Sequence, residues 1–101
     1  MAYQMVAPRL VGSRESAQAI LSTIPKDLVG QRVALNCREL RSGSPSFADE
    51  IVRVVLVERQ AAELVLVGAG ERFAAYVRDS AGAHDVVDRL LVRAAGLEMS
   101  A

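Results

Sequence analysis

Chemistry-bearing side chains are few in this chain, and they are poorly placed to cooperate. Cys37 is the one cysteine and His84 the one histidine. A nucleophilic thiol needs a neighbouring base, and His84 is too distant in sequence to supply one by local spacing. Cys37, at the end of an apolar run, is expected as a small core residue. His84 stands beside Asp85 and Asp88. On a helix only Asp88, four residues on, would share its face. With no second histidine and no nearby cysteine, a capping or surface role is expected instead of a metal site. Asp49 and Glu50 are adjacent carboxylates, but successive helical side chains point about 100° apart and do not converge on one substrate atom. Acids in a first turn are explained by the helix dipole. No catalytic residue, cofactor-binding residue or metal ligand is assigned, and the reading is non-enzymatic.

Ser46 is the sharpest candidate for regulation. The run Ser46-Phe47-Ala48-Asp49 has a serine followed three residues later by a carboxylate, the pattern of a helix start. A phosphoryl group there would add about two negative charges at a helix N-terminus, where backbone N–H groups accommodate an anion. The competing reading makes Ser46 only the N-cap. Ser44 is a second acceptor candidate in the same turn. Gly68-Ala69-Gly70-Glu71 follows a strand and precedes a helix, a geometry used for phosphates, but lacks the full GxGxxG spacing and any nearby lysine. Arg14 falls in a first helical turn, where the dipole gives a cation nothing. It is expected to pair with Glu15 or Glu39, or to contact an anion or partner.

These residues must be positioned by alternating elements. Tyr3 to Val6 reads as a short strand. Ser13 caps a helix whose Ala17, Ile20, Leu21 and Ile24 recur at three- and four-residue spacing, with Pro25 as its stop. Arg32 to Cys37 reads as a largely buried strand, and Ser42-Gly43-Ser44-Pro45 as a turn. A helix is expected from Ser46 to Gln60 or Ala61, with Phe47, Ile51 and Val55 on one face and Asp49, Arg53 and Gln60 on another. A strand is its rival, because Ile51, Val52, Val54, Val55 and Val57 are β-branched. Leu56 and Val57 carry the apolar surface beyond one face. They are either buried against another helix or exposed as a seam for a second subunit or protein. Glu63 to Val67 is the clearest strand, Glu71 to Asp79 a helix, and His84 to Ala95 a last helix stopped by Gly96. Helices covering a small sheet make an α/β layer.

Composition limits the function classes. With 101 residues, 51% hydrophobic and 24% charged, the chain is expected to form one soluble domain and not a disordered segment. Twelve Lys+Arg balance twelve Asp+Glu. The net charge of zero argues against a nucleic-acid binder, which carries a basic excess. The longest nearly apolar run, Ile51 to Val57, is broken by Arg53 and is far short of a membrane span. The N-terminus does not read as a signal peptide. Cytoplasmic residence without membrane association is expected.

Three segments carry a family resemblance: Gly12-Ser13-Arg14-Glu15-Ser16-Ala17, Val33-Ala34-Leu35-Asn36-Cys37, and Ser44-Pro45-Ser46-Phe47-Ala48-Asp49-Glu50. With the strand Leu64 to Val67 and the helix after it, they resemble the bacterial STAS-like family of unassigned function. A more distant similarity is to the anti-sigma-factor antagonists. Asn36 stands where that pattern more often has Asp, and Phe47 takes the glycine position after the antagonists' phospho-acceptor serine. The resemblance covers about residues 12–91. It implies a single STAS-like domain over residues 1–101, with its core in about 12–95, about four strands and about four helices. It also implies a regulatory or scaffold role through protein–protein binding, with a kinase-like ATPase or another signalling protein as partner and phosphorylation of Ser46 or Ser44 as the switch. The expected contact residues are Ser46, Phe47, Asp49, Glu50, Arg53, Leu56 and Val57. The alternatives are a structural homodimer joined through Leu56 and Val57, and a small-molecule or nucleotide-binding module at Gly68 to Glu71.

Overall fold

The structure, a computed structural model, describes residues 2–94. Four strands, β1 (Ala2–Val6), β3 (Arg32–Asn36), β5 (Glu63–Ala69) and β6 (Leu90–Ala94), pair in parallel in the order β1-β3-β5-β6. Between β1 and β3 lie β2 (Leu10–Val11) and α1 (Arg14–Leu21). Between β3 and β5 lie β4 (Ser42–Gly43) and α2 (Pro45–Val52), and α3 (Glu71–Ala83) joins β5 to β6. The two-residue strands β2 and β4 pair with each other, also in parallel. The expected α/β layer is therefore present, with a four-stranded parallel sheet and, among the described residues, three α-helices where about four were expected.

Strand order follows chain order without reversal. Right-handed crossovers that always step the same way leave their helices on one face of a sheet. Burial agrees. Met5, Val33, Leu35, Leu64 and Leu66 point into the core, whereas Gln4, Val6, Arg32 and Leu91 are exposed on the other side. The register explains the alternation, because Met5, Leu35, Leu66 and Val92 lie level across all four strands. α2 packs between α1 and α3 and fills the middle of the helical layer. Phe47 of α2 meets Phe73 of α3 with ring centroids 5.9 Å apart at a 42° tilt.

Ser13 caps α1 as expected, its Oγ accepting from the Ser16 N–H at 3.1 Å. The helix ends at Leu21, before Pro25 is reached. The middle helix begins earlier than expected. Ser44, not Ser46, is its N-cap, with Oγ accepting from the Phe47 N–H at 3.1 Å, and Pro45 takes the first helical position. Proline belongs there because it has no N–H to leave unpaired and its φ is already helical. After Val52 the helix widens into a π-helical segment, Arg53–Glu58. This wider turn lets the consecutive residues Val54, Val55 and Leu56 all be buried. The excess apolar surface is covered by the chain itself. Arg59 donates to the Leu21, Ile24 and Pro25 carbonyls and ties the loop after α1 over one side. Arg89 donates to the Leu56 and Ala61 carbonyls and fastens the other.

The last expected helix is a correction. α3 continues past Asp79 to Ala83, His84 is its C-cap, and Asp85 turns the chain with φ at 59°. A short 3₁₀ turn, Val87–Arg89, leads into strand β6. Val86, Val87, Leu90 and Leu91 have helical spacing, but Leu90 and Val92 turn toward the core while Leu91 and Arg93 face solvent. The long-range reason is the unpaired edge of β5, whose N–H and C=O groups gain a full ladder from β6. The proposed stop at Gly96 lies outside the described residues.

Candidate functional site

Local sequence places a polar ridge along α2. Ser46, Glu50 and Arg53 follow four- and three-residue steps from α2 into the π-helical segment, with Ser46 at the surface, Glu50 buried beneath its arginine partners and Arg53 partly exposed. Ser46 is exposed at the second helical position, and Val57 is 41% exposed. Because Ser44 makes the capping bond, the Ser46 hydroxyl is not engaged in it. Pro45 keeps the turn from adding a competing N–H donor at the first position.

α1 and α3 flank this ridge and are pinned to it by a shared set of carboxylate bonds. Asp49 Oδ2 accepts from Arg14 Nη1 at 2.8 Å. Asp49 Oδ1 accepts from Ser80 Oγ at 2.8 Å and from His84 Nε2 at 2.9 Å, which places the imidazole proton on Nε2. Glu50 accepts from Arg14 Nη1 at 3.1 Å, from Arg53 Nη2 at 2.8 Å and from Gln18 Nε2. Arg53 also pairs with Glu58. One residue pair on α2 thus joins all three helices. Burial by itself would raise the Asp49 carboxyl, but hydrogen bonds from Arg14, Ser80 and His84 outweigh it and hold its pKa at about 2. Burial likewise opposes ionisation of Glu50, and bonds from Arg53, Gln18 and Arg14 lower its pKa regardless. Both carboxylates are charged at neutral pH.

Ser80 and His84 both donate to the same Asp49 oxygen. The serine proton is therefore directed at a carboxylate and not at the imidazole, unlike the nucleophile–base–acid relay of a hydrolase. Arg14 reaches Asp49 and Glu50, not the expected Glu15 or Glu39. Asp49 spends its oxygens on α1 and α3 and not on reciprocal capping. No local spacing in the sequence points to Ser80 or Gln18 as partners of these carboxylates. Ser80 and His84 are four residues apart on α3, and this shared face is visible only if the helix is carried beyond Asp79.

Of the expected contact residues, Ser46, Arg53 and Val57 reach the surface and Asp49 is half-buried. Phe47 and Leu56 are fully buried and Glu50 nearly so, which removes them as direct contacts on the folded surface. The seam drawn through Leu56 and Val57 is broken, since Leu56 is fully buried in the core while Val57 stays at the surface. Cys37 is also buried, and this pushes its thiol up to about 12, so the nucleophilic thiolate is scarce at neutral pH. Among the described residues no group of three or more His, Cys, Asp or Glu side chains is arranged to hold a metal ion. No described helix is long and apolar enough to cross a membrane. Compared with known proteins, the chain matches no family model, no curated protein and no solved structure.

Proposed function

We propose that the chain is a STAS-like regulatory or scaffold domain of the cytoplasm that acts without catalysis, binding a signalling protein through the outer ridge of α2. The partner is of the kinase-like ATPase type implied by the family resemblance. Phosphorylation of Ser46 is the switch. The observation that carries this reading is the division of labour between the two serines: Ser44 supplies the cap, while Ser46 is exposed one step further on. A phosphoryl group on Ser46 therefore leaves the capping bond in place and changes the charge a partner meets. It would stand near the positive end of α2, which offsets part of the cost of concentrating negative charge there. Ser44 is the poorer acceptor, because modifying it would remove the capping interaction.

Incubation of the protein with its host lysate and ATP, followed by mass-spectrometric mapping, tests the reading. Phosphate at Ser46 is expected, together with a Ser46→Asp variant that alters recovery of the partner in a pull-down. If Ser46 carries no phosphate and Ser46→Asp leaves the pull-down unchanged, the switch is refuted. An Arg53→Glu variant separates partner binding from phosphorylation, since it reverses the charge at the middle of the ridge without touching the acceptor.

A further inference from the structure

We propose that the chain forms a two-fold dimer through the outer edge of β1, joining two four-stranded sheets into one of eight strands. β1 and β6 are the edges of the sheet, and among the described residues no strand pairs with the outer side of β1. The Ala7 N–H donates to the Asn36 carbonyl at 2.9 Å, so the backbone of Ala7 faces β3. Strand residues alternate, and Met5 and Tyr3 therefore face β3 with it. Val6, Gln4 and Ala2 direct their N–H and C=O groups away from the sheet. Such a row is a template for another strand, which proteins guard with a charge, a proline or a bulge. β1 reads Ala-Tyr-Gln-Met-Val and pairs with β3 in unbroken register, so it has none of the three. The opposite edge is guarded, since β6 carries the exposed Arg93.

Whatever covers this edge must suit an uncharged surface. The helix next to β1 is α1, whose Arg14 and Gln18 reach across to α2. Ser16 and Ile20 fall on the opposite side of α1 at 100° per residue, and so overlook the β1 edge. Ile20 and Tyr3 pack against the core but are only partly buried. In a chain with 24% charged residues, β1 and this side of α1 carry none. An identical edge therefore meets it without setting like charges against each other, the condition a self-complementary two-fold contact has to satisfy.

The register follows from which residues face outward. Antiparallel pairing about an axis through Gln4 sets Gln4 opposite Gln4 of the second copy and Val6 opposite Ala2. These are the outward residues of β1, so each exchanges N–H···O bonds and none is left over. Tyr3 then falls opposite Met5 of the second copy on the helical side, where its partly buried ring gains cover. The axis is perpendicular to the sheet, so both helical layers lie on one side and both α2 helices stay uncovered. One strand and one helix make a small interface, and dissociation in the micromolar range is expected.

Sedimentation velocity of the whole chain from about 5 µM to about 1 mM tests this. A monomer–dimer equilibrium is expected, with no larger species, because the two-fold contact uses up the edge. Gln4 is exposed, so Gln4→Lys and Gln4→Glu should both fold, which thermal melts check. Each sets like charges against each other at the axis and should weaken the dimer about fivefold. An equimolar mixture of the two variants should restore it, because opposite charges then meet at the axis. Leu91→Lys, at an exposed position on the sheet side without helices, should leave association unchanged. A monomer at every concentration overturns the proposal, as does assembly beyond the dimer. So does a dimer indifferent to Gln4→Lys, a mixture that fails to restore it, or a dimer abolished by Leu91→Lys, which would seat the second copy on the sheet face instead. None of these outcomes depends on Ser46.

Discussion

Replacing Asp49 by Asn removes one charge from the point where three helices meet and keeps the side chain's shape. The amide oxygen can still accept from Ser80 and His84, but its NH₂ is turned toward the donor group of Arg14. The carboxyl pKa falls from 3.8 to about 2 on folding. At ~1.4 kcal/mol per unit this corresponds to about 2 kcal/mol of stability at neutral pH. The side chain keeps 28% of its surface exposed, and solvent screening reduces the expected loss to ~1–2 kcal/mol. The sign follows from the depressed pKa. The contribution is complete above the unfolded-state value of 3.8 and is lost as pH falls through about 2. Urea unfolding of wild type and Asp49→Asn, followed by circular dichroism between pH 7 and pH 2, measures it. The gap between the two proteins should be constant above about pH 5, fall to about half near pH 3 and nearly vanish near pH 2. Equal stability at pH 7, or a gap as large at pH 3 as at pH 7, would refute the assignment of Asp49 as an ionised tie between helices.

The remaining predictions test burial and capping. Ser44→Ala should cost about 1 kcal/mol through loss of the α2 cap, whereas Ser46→Ala should change stability by less than about 0.5 kcal/mol; equal losses in urea melts would return Ser46 to the capping position. Leu56→Ala should destabilise by about 2–5 kcal/mol because it opens a cavity in the core. Sedimentation should show no accompanying change of oligomeric state in the folded protein, and a shift in association without loss of stability would place Leu56 at an interface after all. Cys37 should react slowly with a thiol reagent at pH 8 and rapidly once urea unfolds the chain, given its burial and a pKa near 12. Fast labelling of the native protein would show the thiol exposed.

Much of the layer was legible along the chain because its signals are local. Ser13 marks the start of α1, and the apolar runs at Val33 and Leu64 need only their own neighbours to read as strands. The segment after Ser46 was harder. A serine three residues before Asp49 looks like a cap, yet the serine before Pro45 wins because proline fits the first helical position. The β-branched run from Ile51 to Val57 pointed both to helix and to strand. It resolves as an α-helix that widens into a π-helix, since three neighbouring residues there are all buried. β6 was read as a helix because apolar residues at three- and four-residue spacing satisfy both descriptions when only a few are present. The polar ties of the candidate site were largely hidden. Arg14 and Asp49 are 35 positions apart, and no spacing rule connects them.

The sequence alone determined the neutral charge balance, the presence of one cysteine and one histidine, and most of the α/β alternation. These are properties of composition and of neighbours a few residues apart. Tertiary structure decided which serine is left outside the cap, which apolar residues of the α2 region remain at the surface, and which carboxylates and carbonyls Arg14, Arg53, Arg59 and Arg89 reach. It also decided that Leu90 to Ala94 completes the sheet. Each depends on groups far apart in sequence competing for the same hydrogen bond or the same buried volume. Such competition is settled only when the strands and helices are packed together.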